Sequence, residues 1–124
     1  MNPRNCQTGA PGPSFAVVVS FARGGTLTEL NSSPAFQPGQ RTAGLGVWSR
    51  SDRHAYKAVL DAFILFDSPV FKRGVQRLMW DIQVDGDQMV LDSSSQFFDT
   101  NGNPLGAPCA SATGTRFEEA QDDD

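Results

Sequence analysis

An Asn-Gly pair near the end of the chain, Asn101-Gly102, constrains the fold more than any other feature of the sequence. It separates two segments of strand-like composition, residues 93–99 and 105–117. Asn-Gly readily supplies positive φ at two adjacent positions, which the tight turns of β-hairpins require. The sequence therefore predicts a hairpin at this point and, with it, an antiparallel sheet.

Strand and turn signals alternate along the rest of the chain. The longest predicted strand, residues 54–66, places Tyr56 and Leu60 on an apolar face, and residues 74–84 place Trp80 on another. This periodicity of two residues is typical of strands, and no segment shows the 3.6-residue periodicity of an amphipathic helix. About seven strands are predicted, the others being residues 14–21, 26–30, 43–50, 88–99 and 105–117.

We expect these strands to form one all-β domain, a single antiparallel up-and-down β-barrel of about seven to eight strands over residues 1–117. Closure into a barrel removes the exposed edges that an open sheet keeps, which favours a barrel over a sandwich. The strand over 74–84 then turns Leu78, Trp80 and Ile82 toward the core. The residues that alternate with them face solvent: Arg77, Asp81 and Gln83.

The net charge of −4 is concentrated at one end of the chain. Five of the fourteen acidic residues lie within residues 118–124, whereas residues 1–117 carry nine acidic residues and ten Lys and Arg. We expect a near-neutral domain followed by a flexible acidic tail over 118–124. No basic face predicts nucleic-acid binding, and no apolar run approaches the ~18 residues of a membrane span. The polar opening of the chain predicts no signal peptide.

Several motifs resemble those of a family of uncharacterised small bacterial β-barrels, of lipocalin-like or allene-oxide-cyclase-like type. They run in order along nearly the whole chain: Asn5-Cys6-Gln7-Thr8-Gly9, Phe21-x-x-Gly24-Gly25-Thr26-x-x-Glu29, Gly44-x-Gly46-Val47-Trp48, Gly74-Val75-Gln76-Arg77, Phe97 to Pro104, and Cys109 to Phe117. The resemblance implies a calycin-like barrel, and its relatives imply a secreted or periplasmic location. It also implies that Cys6 and Cys109 lie at the same end of the barrel. From the residues alone, a disulfide and two free thiols both remain open.

The chain departs from this family pattern at two places. Leu45 stands where many relatives carry a His between the two glycines of the Gly-x-Gly-Val-Trp strand. Relatives also begin with a Trp-containing strand, whereas only four residues precede Asn5 here. A barrel that lacks one strand has two open edges. We therefore expect either that residues 1–7 fill the gap as a shortened strand, or that two chains pair along the open edge as a homodimer.

The interior suggests a function, because aromatic residues alternate there with small ones. A cavity bounded by aromatic walls and a few hydroxyl groups suits a small hydrophobic or aromatic molecule. We expect such a ligand to bind inside the barrel, although a solid core without a cavity fits the same pattern. The predicted ligand-binding residues are Trp48, Tyr56, Leu60, Trp80, Ser93, Ser95 and Phe97.

Two alternatives remain open. One is an enzyme of isomerase or cyclase type, with Glu29, Tyr56 or His54 transferring a proton; a buried Glu29 would need a partner such as Arg116. The other is a structural or self-assembling barrel without a ligand. With a single His and widely separated cysteines, we expect no metal site and no cofactor, and we interpret the Asn101-Gly102 region as a turn rather than a calcium loop.

Overall fold

The computed structural model describes residues 1–116, which form an all-β protein. The predicted acidic tail and Phe117 lie outside these described residues. None of the described residues forms a helix that is long and apolar enough to cross a membrane. The strands are β1 (Asn2–Arg4), β2 (Val17–Ala22), β3 (Thr26–Asn31), β4 (Gly44–Arg50), β5 (Ala55–Ile64), β6 (Gly74–Asp85), β7 (Gln88–Asp99), β8 (Pro104–Gly106) and β9 (Cys109–Thr115).

The nine strands of the described residues belong to one antiparallel up-and-down sheet, in the order β1-β9-β7-β6-β5-β4-β3-β2, with β8 paired to the end of β7. The sheet curls into a half-barrel, which confirms the predicted fold class. Its two edge strands approach each other at one point. There the backbone N–H of Phe15 donates to the Met1 carbonyl at 3.0 Å, and the Met1 amino group donates to the Phe15 carbonyl.

The chain ends differ in detail from the predicted strands. Residues 105–117 do not form one strand, because the chain breaks at Ala107-Pro108 into β8 and β9. Pro108 has no N–H to contribute to a ladder, and its carbonyl instead accepts a hydrogen bond of 3.0 Å from the Ser95 amide. The predicted strand over residues 14–21 begins only at Val17.

The expected shortened strand is present within residues 1–7. It is β1, which pairs antiparallel with β9, Asn2 lying opposite Ser111 and Arg4 opposite Cys109. The alternative expectation, a homodimer in which two chains pair along the open edge, stays a prediction.

The core lies on the concave face of the sheet and follows the predicted alternation. Leu78, Trp80 and Ile82 are buried, Trp80 with only 2% of its surface exposed, and the residues between them point outward. Strands β5 and β7 contribute alternate residues to the same cluster, such as Leu60 and Leu91. Because a shift of one residue would exchange the two faces, this burial confirms the register of the long strands.

Gly46 in β4 allows two strands to approach closely. A Cβ atom at this position would lie against the carbonyl oxygen of Val59 and 2.7 Å from the Cβ of Leu60 on the neighbouring strand. A glycine within a strand commonly marks such a close approach of backbone. It also leaves room for the large side chain of Leu60, which is 1% exposed.

A disulfide joins Cys6 to Cys109, whose Cα atoms lie 5.1 Å apart and whose positions are 103 residues apart in sequence. The bond ties the loop after β1 to the first residue of β9. Adjacent backbone bonds hold the same loop: the Asn5 amide donates to the Ala10 carbonyl at 2.9 Å, and the Gly12 amide donates to the Pro3 carbonyl at 2.9 Å. The two cysteines are therefore neighbours, as the family resemblance implied.

Replacing Trp80 tests the packing of the core. Trp80→Ala should lower the free energy of unfolding by about 3–5 kcal/mol, because it removes a fully buried aromatic side chain and leaves a cavity. Urea denaturation followed by circular dichroism measures the loss. Val90→Ala, at an outward and half-exposed position of β7, should change stability by only about 0.5 kcal/mol or less. Equal losses in the two variants would contradict this register.

Removing the disulfide should destabilise the protein by about 4–5 kcal/mol in the chain-entropy description, because the bond closes a loop of about 100 residues in the unfolded chain. The double substitution Cys6→Ser and Cys109→Ser removes the bond without leaving a thiol. Its unfolding midpoint should match that of the reduced wild-type protein and lie well below that of the oxidised protein. A midpoint unaffected by reductant would show that the bond does not constrain the native chain.

Candidate functional site

The most buried charges lie inside one end of the half-barrel, where β3 and β5 end and β4 begins; we call this the Glu29 end. Glu29 on β3 has a side chain that is 1% exposed, and Arg41, just before β4, has one that is 5% exposed. The guanidinium of Arg41 donates two hydrogen bonds, from Nη1 to Oε1 of Glu29 at 2.9 Å and from Nη2 to Oε2 at 3.0 Å. This fork-to-fork geometry is the strongest that a carboxylate and an arginine form.

Two amides complete the network around this ion pair. Arg41 Nε donates to Oε1 of Gln76 on β6 at 2.7 Å, and Asn31 Nδ2 donates to Oε2 of Glu29 at 3.2 Å. Among the described residues, every buried side-chain nitrogen and oxygen has a partner. Charged groups that are buried away from water require such hydrogen-bonding partners. The network is therefore a complete structural unit that links β3, the β3–β4 connection and β6.

The prediction that Arg116 is the partner of a buried Glu29 was wrong. Arg116 lies at the opposite end of the half-barrel, beside Asp87 at 3.7 Å, because β9 runs away from the Glu29 end toward the β6–β7 turn. The partner is Arg41, which lies between the predicted strands over residues 26–30 and 43–50, in a segment with two prolines and a glycine. Its isolated bridge to Ile64 brings that loop against the end of β5.

An aromatic cluster covers the Glu29 end. The ring centroids of Phe36 and Phe71 lie 4.9 Å apart, those of Phe66 and Phe71 lie 5.8 Å apart, and those of Phe71 and Phe97 lie 5.5 Å apart. Three of these rings come from the β3–β4 and β5–β6 connections, and only Phe97 belongs to a strand. Phe97 was predicted to line a ligand cavity, and it packs here against Phe71.

Buried side chains pack against one another in the middle of the interior. Trp80 donates from Nε1 to the Ser93 hydroxyl at 3.1 Å. Leu60 packs in the same cluster, and Ser93 and Ser95 are buried on β7. These four predicted ligand-binding residues therefore contact one another or their neighbours in the core.

The opposite end, which we call the Trp48 end, carries a second aromatic group. The indole Nε1 of Trp48 donates to the carbonyls of Ala22 and Thr26 at 3.1 and 2.9 Å. Its ring meets Phe21 and Tyr56 edge to face, with centroids 6.1 and 5.7 Å away. Trp48 and Tyr56 are half-buried and pack against the core.

The three candidate catalytic residues are not brought together. Glu29 pairs with Gly44 on β4, which lies at the level of Ala62 on β5. Tyr56 lies six residues before Ala62 on the same strand. At about 3.3 Å per residue, this separation is on the order of 20 Å. His54 is exposed in the turn before β5. Since Glu29 is also held in a bidentate ion pair, this geometry gives no acid–base pair at a common point.

A concavity of about 630 Å³ lies instead on the outer face of the sheet. Its apolar wall is a row of directly opposed residues on three strands, Phe63 on β5, Val75 on β6 and Phe98 on β7. Phe63 is 59% exposed. Leu65 extends the wall toward the β5–β6 connection. We call this feature the outer groove.

A charged pair lies beside the apolar wall of the outer groove. Arg77 donates from Nε and Nη2 to the two carboxylate oxygens of Asp61 at 2.9 and 3.0 Å. The hydrogen bond to Asp61 raises the pKa of the Arg77 guanidinium. The Arg77 guanidinium also lies 5.9 Å from the ring centroid of Phe98. Two bonds and an aromatic face thus hold this side chain in one orientation.

The Asn-Gly hairpin forms the rim of the outer groove. Asp99 accepts hydrogen bonds from the backbone N–H groups of Asn103 and Asn101, both at 2.9 Å, and these bonds lower the pKa of its carboxyl. Gly102 adopts a φ of 83°, a conformation that suits glycine. The predicted turn is confirmed, although Gly102 alone adopts the positive φ that was expected of both Asn101 and Gly102. The Asp99 carboxylate is engaged by the turn itself.

A second concavity, of about 260 Å³, lies in the β3–β4 connection between Asn31 and Ala43. Asn31 lies at one end of this concavity and is partly buried. Its side chain donates to Glu29 and accepts a hydrogen bond of 3.1 Å from the Ser33 amide. Neither this concavity nor the outer groove is lined by Trp80, Tyr56 or Phe97. The alternation of residues along β7 assigned Phe98 to the face opposite the core, and the outer groove was therefore not predicted from the sequence.

No protein-family model, curated protein or solved structure matches this chain. The resemblance to lipocalin-like and allene-oxide-cyclase-like barrels therefore stays a prediction.

The buried ion pair should be sensitive to loss of one partner. Glu29→Gln leaves the guanidinium of Arg41 buried without a counter-charge, and we expect a loss of about 3–5 kcal/mol in the free energy of unfolding. The double substitution Glu29→Leu and Arg41→Met removes both charges and should be less destabilised than Glu29→Gln. Chemical denaturation of both variants measures the difference. A double variant that is no more stable than Glu29→Gln would contradict this account.

Proposed function

We propose that this protein binds a small apolar or aromatic molecule, and that it does so in the outer groove. The volume of the groove, about 630 Å³, falls within the range of roughly 300–1,000 Å³ that small-molecule sites occupy. It combines a row of apolar side chains with a few fixed charged groups, as binding sites commonly do. This coincidence of size, aromatic wall and oriented polar groups is the observation that supports the proposal.

The lining limits the class of ligand. Phe63 and Phe98 offer ring faces and edges to a flat apolar body, with Val75 between them in the same cross-strand row. Arg77 uses Nε and Nη2 for Asp61, which leaves the donors of Nη1 for a ligand oxygen. A ring system with one hydrogen-bond acceptor at its edge fits this arrangement. A strongly charged ligand does not, since Asp61 and Asp99 balance Arg73 and Arg77 around the groove.

The barrel interior is the other place where a ligand was expected. Binding there would require the displacement of side chains such as Trp80 and Leu60, which are 2% and 1% exposed. Each displaced core side chain gives up about 1.5–3 kcal/mol of burial. The outer groove requires no such displacement, and we therefore prefer it. The separation of Glu29, Tyr56 and His54 likewise favours a binding protein over an isomerase or cyclase.

Titration with N-phenyl-1-naphthylamine, an uncharged naphthalene probe whose fluorescence rises on binding, tests the site. Phe63→Ser should weaken binding roughly tenfold, because a contact worth about 1.4 kcal/mol corresponds to one factor of ten. Val90→Ser changes an equally outward apolar residue at the other end of β7 and should change affinity less than about twofold. Cooperative unfolding of each variant confirms that the probe reports on folded protein.

Ser95→Leu distinguishes the interior from the groove. Its side chain points into the core beside β9, so the substitution fills interior space without touching the groove. Binding that is weakened by Ser95→Leu and unaffected by Phe63→Ser would place the ligand inside the half-barrel and overturn the proposal. Binding that neither substitution alters would overturn it as well.

A further inference from the structure

The outer edge of β2 lacks the protection that exposed sheet edges usually have. Within the described residues, β2 ends the strand order and pairs only with β3. Its sequence, Val-Val-Val-Ser-Phe-Ala, contains no charged residue and no proline. Natural edge strands are normally kept apart from one another by lysine, proline, bulges or extreme shortness. An uncharged, valine-rich edge of six residues is typical of a strand that another strand covers.

The hydrogen-bonding groups that point away from β3 belong to alternate residues of β2. Ala16, just before the strand, bonds toward β3, since its carbonyl accepts from the Ser32 amide at 2.9 Å. Phe15 bonds on the other side, to Met1. Because these directions alternate along an antiparallel strand, the N–H and C=O groups of Val17, Val19 and Phe21 point to the free edge.

The same three residues turn their side chains toward the concave face. Val17 and Val19 are half-buried, and Val19 packs against the core cluster. Phe21 remains 40% exposed, although its ring contacts Trp48. The residues between them, Val18 and Ser20, point to the outer face and are exposed. Free backbone groups and an incompletely covered apolar row therefore coincide on one set of residues.

We propose that two copies of this protein pair through β2 around a two-fold axis at Val19. In this antiparallel register Val17 lies opposite the partner's Phe21, and Val19 lies opposite the partner's Val19. All three pairs are then of the hydrogen-bonded kind, so six backbone hydrogen bonds form from groups that point to the free edge. The register also places apolar side chains opposite apolar ones across the concave face, and it covers Phe21.

A second copy fits this edge because the edge is self-complementary. In a two-fold contact the same surface of the two copies meets, so the residues of the edge must pair with residues of the same edge. All three residues of the row Val17, Val19 and Phe21 pair with members of the partner's row only when Val19 lies on the axis. The partner's β2 ends at Ala22, opposite Ala16, so that its turn at Arg23-Gly24-Gly25 begins at the level of Phe15, next to the bonds between Met1 and Phe15. This proposal concerns the strand edge, and it does not depend on ligand binding in the outer groove.

Paired charges on the outer face of β2 test the register. The axis places Val18 opposite the partner's Ser20, and symmetry repeats this pair. Val18→Lys with Ser20→Lys brings like charges together twice, and it should raise the dimer dissociation constant roughly tenfold. Val18→Lys with Ser20→Glu brings opposite charges together at the same exposed positions, and it should preserve or tighten the dimer. Sedimentation equilibrium from low to high micromolar concentration measures the constants.

Val19→Pro gives an independent test of the backbone pairing. It removes the N–H group that points to the free edge, while the neighbouring residues keep their bonds to β3. The variant should be monomeric, with a thermal unfolding transition close to that of dilute wild-type protein. A wild-type protein that stays monomeric at high micromolar concentration would overturn the proposal. A dimer that is equally stable in both charge variants would also overturn it, because that dimer would use another surface.

Discussion

The register of β5, β6 and β7 is the constraint on which the rest of the structure depends. These strands have ten to twelve residues each and pair along their whole length, so every second residue of each faces the same side. Within residues 1–116 the sheet has no second layer against which to pack. It must therefore bury its concave face by curling, and a single shift in register would place Trp80 in solvent and Asp81 in the core. The shorter strands, loops and disulfide are arranged around this ladder.

Alternation along the long strands made the core predictable, and Trp80 with its buried neighbours shows why. A period of two depends only on the sequence of one strand, so no knowledge of distant contacts is needed. The position of Glu29 in a strand left its burial open, and the sequence did not identify its partner. Arg41 lies at the end of a segment with two prolines and a glycine, and only the folded β3–β4 connection brings it against Glu29.

The outer groove escaped sequence reasoning for a different reason. A pattern of two faces assigns one to the core and the other to water, and it treats the outward face as uniform. Phe63, Val75 and Phe98 are unremarkable in their own strands, and they form a wall only because the pairings of β5, β6 and β7 place them in one row. Such a surface depends on three registers at once, which a single-strand pattern does not contain.

The disulfide determines how the molecule would respond to a mechanical load. Cys6 and Cys109 enclose the strands from β2 to β8 in one covalent ring, and only short segments, including β1 and most of β9, lie outside it. A pulling force applied at the two chain ends would pass from one segment to the other through the sulfur atoms. It could peel β1 from β9 and β9 from β7, but it would leave the ladder of β5, β6 and β7 unstretched. Under tension the oxidised protein would extend by at most the twenty residues that lie outside the ring, and reduction would expose more than a hundred further residues to the same force.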